Sequence, residues 1–223
     1  MIATWPCPGP DHGTASEYAF ALEGSEPVRV LIVPALFDEG NRLRRFTVEA
    51  MRALQRLGIG SVLIDLPGSN ESLIPTSSVS LDDWKRAVSA AVVHFSASHV
   101  LAIRGGGLVC GEAGVPVLAY APVSGAAILR QMMRMRVLSA REAGREDTSA
   151  DLLEEGRTRG VVLAGYALAP GLVTGLETAE ACSGWTIAQS DIGGAALWLR
   201  AEAGEDAAQS EALARLVAQG CGE

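Results

Sequence analysis

The stretch His99-Val-Leu-Ala-Ile-Arg-Gly-Gly-Gly107 decides the fold. Its first five residues are an apolar, partly β-branched run of strand length, and the next four, Arg104 to Gly107, form a glycine-rich turn. Leu108 to Ala113 then reads as a short helix. Outward from this point the same alternation recurs. Val28 to Leu36 (VRVLIVPAL) is nearly all apolar, as expected of a central strand buried on both faces of a parallel sheet. From Asn41 to Leu57 the apolar positions Leu43, Phe46, Ala50, Ala53, Leu54 and Leu57 recur at helical spacing, and Gly58 supplies the stop. Ser61 to Leu66 is a further strand ending in the turn pair Pro67-Gly68. Ser80 with Asp83 forms a capping-box pattern ahead of an apolar stripe from Trp84 to Phe95. Pro116 to Tyr120 is a fourth strand. Strand and helix in alternation predict a parallel, doubly wound sheet with right-handed crossovers.

After this unit, Arg130 to Gly160 changes character, with Met132, Met133 and Met135 among many charges. It predicts a helical cap or insertion, about residues 125–160, within one domain covering 1–223. A helix from about Pro170 to Ala181, strand candidates at Trp185 to Ser190 and Ala195 to Arg200, and a terminal helix from Ala207 to Gln219 complete the reading. Gly204 to Asp206 is taken as a site-forming loop.

The composition narrows the function classes. The 223 residues are 48% hydrophobic, enough for a large core, and the chain carries 18 basic against 26 acidic residues, a net of −8. Phosphate affinity comes mostly from Lys and Arg, so nucleic acid and anionic membranes are poor partners. The uncharged stretches Ala87 to Ile103 and Gly160 to Leu176 are too short and interrupted to span a bilayer. The start lacks a basic region followed by an apolar run, so a soluble, cytoplasmic protein is expected. Cys7, Cys110, Cys182 and Cys221 lie far apart, with no paired spacing and no histidine companion. No metal site, disulfide framework or cofactor is expected.

Ligands of open parallel sheets bind at the carboxyl ends of the strands. A strand entering a glycine-rich turn is the context of the nucleophile elbow, where small residues flank a side chain on a strained turn. Here small-x-nucleophile-x-small falls on Ala102-Ile103-Arg104-Gly105-Gly106, which places Arg104 at the nucleophile position. A guanidinium is protonated at any working pH and offers only donors, so it cannot attack an acyl carbon. A helix N-terminus also disfavours a cation by ~0.3–1 kcal/mol, so a compensating anion is expected. Asp38 and Glu39, in the loop with Phe37 after the first central strand, are the candidates. Two readings follow. Either Arg104 forms a structural ion pair with Glu39 or Asp38, or Arg104 and the amides of Gly105 and Gly106 bind a carboxylate or phosphate ligand.

The rest of a catalytic triad is not visible. The histidines His12, His94 and His99 all precede the turn, although a triad base normally comes late. Asp206 could be an acid after a late strand, but an acid without a base is inert. Ser72, Ser124 and Cys110 are substitute nucleophiles without a visible partner. Gly105-x-Gly107-x-x-x-Gly111 is a weak match to a dinucleotide loop and follows the wrong strand.

Several short motifs in order carry a family resemblance: Val33-Pro34-Ala35-Leu36-Phe37-Asp38-Glu39-Gly40-Asn41 with Arg44-Arg45, Asp65-Leu66-Pro67-Gly68, Ile103-Arg104-Gly105-Gly106, Pro122-Val123-Ser124-Gly125, and Gly165-Tyr166-Ala167-Leu168-Ala169-Pro170. Over roughly Val28 to Ala181 the chain resembles the exosortase A system-associated hydrolase 2 proteins. The resemblance implies an α/β-hydrolase-type sheet, with arginine at the elbow as a family trait. It further implies a bacterial, cytoplasmic protein linked to exopolysaccharide production and to sorting of proteins with a carboxyl-terminal anchor signal. The expected function is a degenerate hydrolase, a non-catalytic binding or accessory protein, with a small carboxylate, phosphate or acyl compound as ligand. The alternatives are an ester or thioester hydrolase with an unconventional nucleophile, and a homodimerisation module using the Met132–Leu138 face.

Overall fold

The computed structural model describes residues 1–10, 13–200, 202 and 204–222; His12 lies outside the described residues. The central sheet has the strand order β1 (Ile2–Pro8), β2 (Thr14–Leu22), β4 (Gly60–Ile64), β3 (Arg29–Val33), β5 (His99–Ile103), β6 (Val117–Tyr120) and β9 (Trp185–Ile187). From β4 to β9 all neighbours are parallel, whereas β2 runs antiparallel to both β1 and β4. The mostly parallel sheet is flanked by helices on both faces, as the alternation of strand and helix implied.

Both faces of the central strands are buried, which explains their continuous apolar runs. On β3, Leu31 and Val33 join one core while Val30 and Ile32 join the other, and on β5 Val100 and Ala102 oppose Leu101 and Ile103 in the same way. The first core is covered by α2 (Leu81–His94), α3 (Gly125–Glu142) and α5 (Pro170–Thr178), with Trp84, Leu129, Met132 and Leu172 among its members. The second is covered by α1 (Asp38–Arg56) and α7 (Ala207–Cys221), with Phe46, Tyr120, Trp198 and Leu213. Each buried aliphatic or aromatic side chain contributes about 1.5–3 kcal/mol relative to exposure, so these two layers dominate stability. The Ser80–Asp83 capping box is formed: Ser80 Oγ accepts from the Asp83 amide, and Asp83 accepts from the Ser80 amide at 2.7 Å.

Four local readings are corrected. Helix α1 begins at Asp38, three residues before the expected Asn41, so Asp38 and Glu39 occupy its first turn and not a loop. Acidic residues there complement the helix dipole, and this extends the helix toward the strand. Leu108 to Ala113 does not form a helix of its own; Leu108 and Val109 end a 3-10 segment that runs from Arg104 to Val109. Three consecutive glycines each lose about 1 kcal/mol in an α-helix relative to Ala, which prevents it from propagating. Ala195 to Arg200 contains a 3-10 turn at Leu197–Leu199 in place of a strand. Finally, the sequence reading assigns no element to 2–22, where the β1–β2 hairpin forms; Pro6 and Pro8 are tolerated there because β1 is an edge strand.

The helical insertion comprises α3 and α4 (Ser149–Arg159), followed by the two-stranded hairpin of β7 (Val161–Leu163) and β8 (Tyr166–Leu168) and by α5. Beyond β9 come the short α6 (Gln189–Ile192), the Leu197 turn and α7. No helix of the described residues is long and apolar enough to cross a membrane.

Candidate functional site

Strand β5 delivers Arg104 at the carboxyl end of the sheet with φ 53°, a conformation costly for a residue with a β-carbon. The small residues of the motif have a steric cause. A Cβ on Gly106 would lie 2.6 Å from the Pro34 carbonyl oxygen and 2.7 Å from that of Val33, and one on Gly105 would lie 2.8 Å from Ile128 Cδ1. The turn is thus pressed against the end of β3 and the base of α3, and at position 106, where the obstacles are backbone oxygens, only glycine fits.

The guanidinium of Arg104 is engaged on three sides. Its Nε donates to Glu39 Oε2 at 3.0 Å and its Nη2 to Glu39 Oε1 at 3.1 Å, a bidentate pair. Its Nη1 donates to the Ala121 carbonyl at 2.9 Å, past the end of β6. Its Cζ lies 4.1 Å from the centre of the Trp198 ring, a cation–π contact. Only 12% of the Arg104 side chain and 11% of the Glu39 side chain is exposed, so the pair is shielded from solvent. Asp38, the other acid considered, turns outward and pairs with Arg42 one helical turn on. Arg42 Nη1 also donates to the Trp198 carbonyl at 3.2 Å, which holds the ring over Arg104. Burial pushes the Tyr120 hydroxyl well above its ordinary value, and this group donates to Gln189 Oε1.

Phe37 sits at the start of α1 with φ 57° and packs edge-on against Trp84 and Tyr166, at 5.8 and 5.3 Å between ring centres. These rings close the cleft above β3 and β4. The space remaining there, between Phe37, Gly68, Trp84 and Tyr166, is about 30 Å³. That volume is on the scale of one water molecule, whereas small-molecule sites occupy roughly 300–1,000 Å³. Gly105 and Gly106 are themselves buried, and without an α-helix behind them no helix dipole is focused on Arg104.

The other sequence candidates are dispersed. Asp206 caps α7, accepting from the Gln209 amide at 3.2 Å, and Ser124 caps α3. Ser72 Oγ donates to the buried Glu17 at 2.8 Å and accepts from the Gly68 and Ile74 amides. His94 packs against Trp5 and Phe95, while His99 Nδ1 lies 3.0 Å from Ser98 Oγ and burial lowers its pKa. Cys110 donates to the Gly106 carbonyl at 3.1 Å. On α3, Met132 and Met133 turn into the core; Met135 and Leu138 remain exposed, so Met132–Leu138 is not one continuous apolar face. Among the described residues no group of three or more His, Cys, Asp or Glu side chains is arranged to hold a metal ion. Sequence reasoning missed Trp198, which lay in the misread strand, and Cys182, which packs beside Cys110.

The strand order, the antiparallel second strand and the positive-φ turn after β5 define an α/β-hydrolase fold. Est1E from Butyrivibrio proteoclasticus, solved with ferulic acid bound, aligns with a TM-score of 0.55 at 14% identity, over 77% of this chain and 70% of that protein. The α/β hydrolase GrgF from Penicillium sp. sh18 aligns at a TM-score of 0.48 and 14% identity, over 81% of this chain and 74% of that one. A protein from Agrobacterium vitis S4 described as a hydrolase aligns at 0.43 and 14% identity over 56% of this chain, which spans only 54% of that protein's length. No protein-family model matches the chain, and no curated protein matches it in sequence.

Proposed function

We propose that the chain is a non-catalytic α/β-hydrolase-fold protein, a binding or accessory protein whose former reaction centre is closed by Arg104 and Glu39. One observation carries this reading: the position that a hydrolase of this fold gives to its nucleophile holds a guanidinium already neutralised by a buried internal carboxylate. Arginine has no lone pair for attack, and Glu39 stands where an anionic substrate group would bind. A triad base is also lacking among the described residues, since His94 and His99 are engaged far from Arg104 along the fold. The ordered motifs from Val33 to Pro170 support a setting in bacterial exopolysaccharide production and the sorting of proteins with a carboxyl-terminal anchor signal.

The test is turnover of a panel of short acyl esters and thioesters by the full chain. No product above background is expected from the wild type. Turnover that disappears on substituting Ser72, Ser124 or Cys110 would instead establish a hydrolase with an unconventional nucleophile. Ligand binding is read by thermal shift with acetate, inorganic phosphate and short acyl compounds. A carboxylate or phosphate that displaces Glu39 would raise Tm in the wild type and not in Arg104→Ala.

A further inference from the structure

The carboxyl end of the same 3-10 segment carries a second feature, separate from the Arg104 site. Cys110 follows Val109 directly and is 1% exposed. The loop from α5 to β9 returns beside it. The Cys182 amide donates to the Gly107 carbonyl at 2.9 Å, and a Cβ on Gly107 would lie 3.3 Å from Ala181 Cβ, so this loop is docked on the glycine turn. Docking places Cys182 beside Cys110, and both residues line one cavity. Both cysteines are free thiols, and Cys182 is only partly buried.

Solvent reaches Cys182. A cavity of about 650 Å³ at the amino ends of β6 and β9 is lined by Cys110 and Cys182 together with Gly114, Val117, Ser183 and Trp185. A second opening of about 540 Å³, between α2 and α5, also ends on Cys182. No carboxylate lines the larger cavity, whereas Asp82, Glu112 and Glu180 line the second together with Lys85, so an incoming oxidant or thiolate meets less fixed negative charge through the larger one.

We propose that Cys110 and Cys182 form a reversible dithiol–disulfide site, with Cys182 as the attacking thiol, Cys110 as the resolving thiol, and a hydroperoxide as the oxidant. The electrostatics agree with this division. The neighbouring Cys110 side chain holds the Cys182 thiol down at about 7 against the opposing effect of burial, while Cys110 is held well above its ordinary value. Burial pushes the remaining thiols up, Cys7 to about 12 and Cys221 to about 11.

The chemistry balances with a peroxide alone. The Cys182 thiolate attacks one peroxide oxygen, the O–O bond breaks, and the other oxygen leaves as hydroxide or alkoxide, giving a sulfenic acid at Cys182. Cys110 then loses its proton to the departing oxygen and attacks the Cys182 sulfur. The S–O bond breaks, the S–S bond forms and water is released, so two electrons have passed from two thiols to one peroxide. An external dithiol returns both electrons. Because Cys182 belongs to the loop leading into β9, the bond would fasten that loop to the turn after β5.

The experiment uses the full chain, alkylated with iodoacetamide across pH 5–10 and mapped by mass spectrometry before and after hydrogen peroxide. The lower pKa of Cys182 raises its thiolate fraction, partly offset by weaker nucleophilicity, so it should react roughly a hundredfold faster than Cys221 at neutral pH. After peroxide, a Cys110–Cys182 cross-linked peptide should appear and vanish with dithiothreitol. In Cys110→Ala, dimedone should trap Cys182 as a sulfenic acid; if that variant does not fold, the wild-type map decides alone. Equal alkylation of Cys182 and Cys221, or peroxide oxidation of Cys182 without a bond to Cys110, overturns the proposal.

Discussion

The two ends of one short 3-10 segment, Arg104 to Val109, differ in what their side chains demand. At its amino end a guanidinium is buried, and a buried charge is tolerated only when paired and hydrogen-bonded. Glu39, the Ala121 carbonyl and the Trp198 ring supply those contacts. At the carboxyl end stands Cys110, whose neutral thiol needs no counter-ion, and the neighbouring space stays open at about 650 Å³.

The largest test of this contrast is Arg104→Ala, which leaves the Glu39 carboxylate buried and unpaired. A loss of about 3–5 kcal/mol in chemical denaturation is expected. The double variant Arg104→Met/Glu39→Leu should recover most of that loss, because apolar side chains of similar volume incur no desolvation cost; failure to recover would mean that the ion pair itself drives folding. Next in size is Gly106→Ala, whose Cβ meets two carbonyl oxygens of the β3 end. About 1–3 kcal/mol of destabilisation should be measured by thermal or chemical unfolding. At the open end, Cys182→Ser should change stability by no more than about 0.5 kcal/mol while removing the fast-alkylating thiol.

A pH experiment extends the comparison to a second buried acid. Glu17 is 1% exposed but has no arginine partner: it accepts from Ser72, and its Oε2 is without a hydrogen bond. Burial, opposed by Ser72 and reinforced by Asp65, raises its pKa above the ordinary 4.5. The folded state then holds this proton at pH values where the unfolded state has released it. Stability contributed by the protonated form is full below 4.5 and is lost as pH rises through the raised value. Denaturation midpoints across this window should therefore decline with pH, and Glu17→Gln should remove that part of the slope.

Much of the central sheet was legible because its signals are local. His99–Ile103 is a strand over the same residues read from its apolar run, and the Ser80–Asp83 box starts α2 where its hydrogen-bonding pattern requires. Strand β1 at Ile2–Pro8 was not legible, since the proline of an edge strand and the proline of a loop look alike until the neighbouring strand is known. Asp38 and Glu39 were both candidates for Arg104. Their choice depended on helix phase: once α1 starts at Asp38, successive residues turn by 100°, so Glu39 faces the turn and Asp38 faces Arg42.

By itself the sequence determined the alternation that builds a doubly wound parallel sheet, and it put an arginine at the residue where that sheet's sharpest turn falls. Periodicity, capping and glycine placement act over a few residues, and each leaves its mark in the chain. Tertiary structure alone decided that Glu39 neutralises Arg104, that Trp198 lies over it and that Cys182 meets Cys110. Those contacts join residues 65, 94 and 72 positions apart, and no local signal encodes which distant side chain fills a given space.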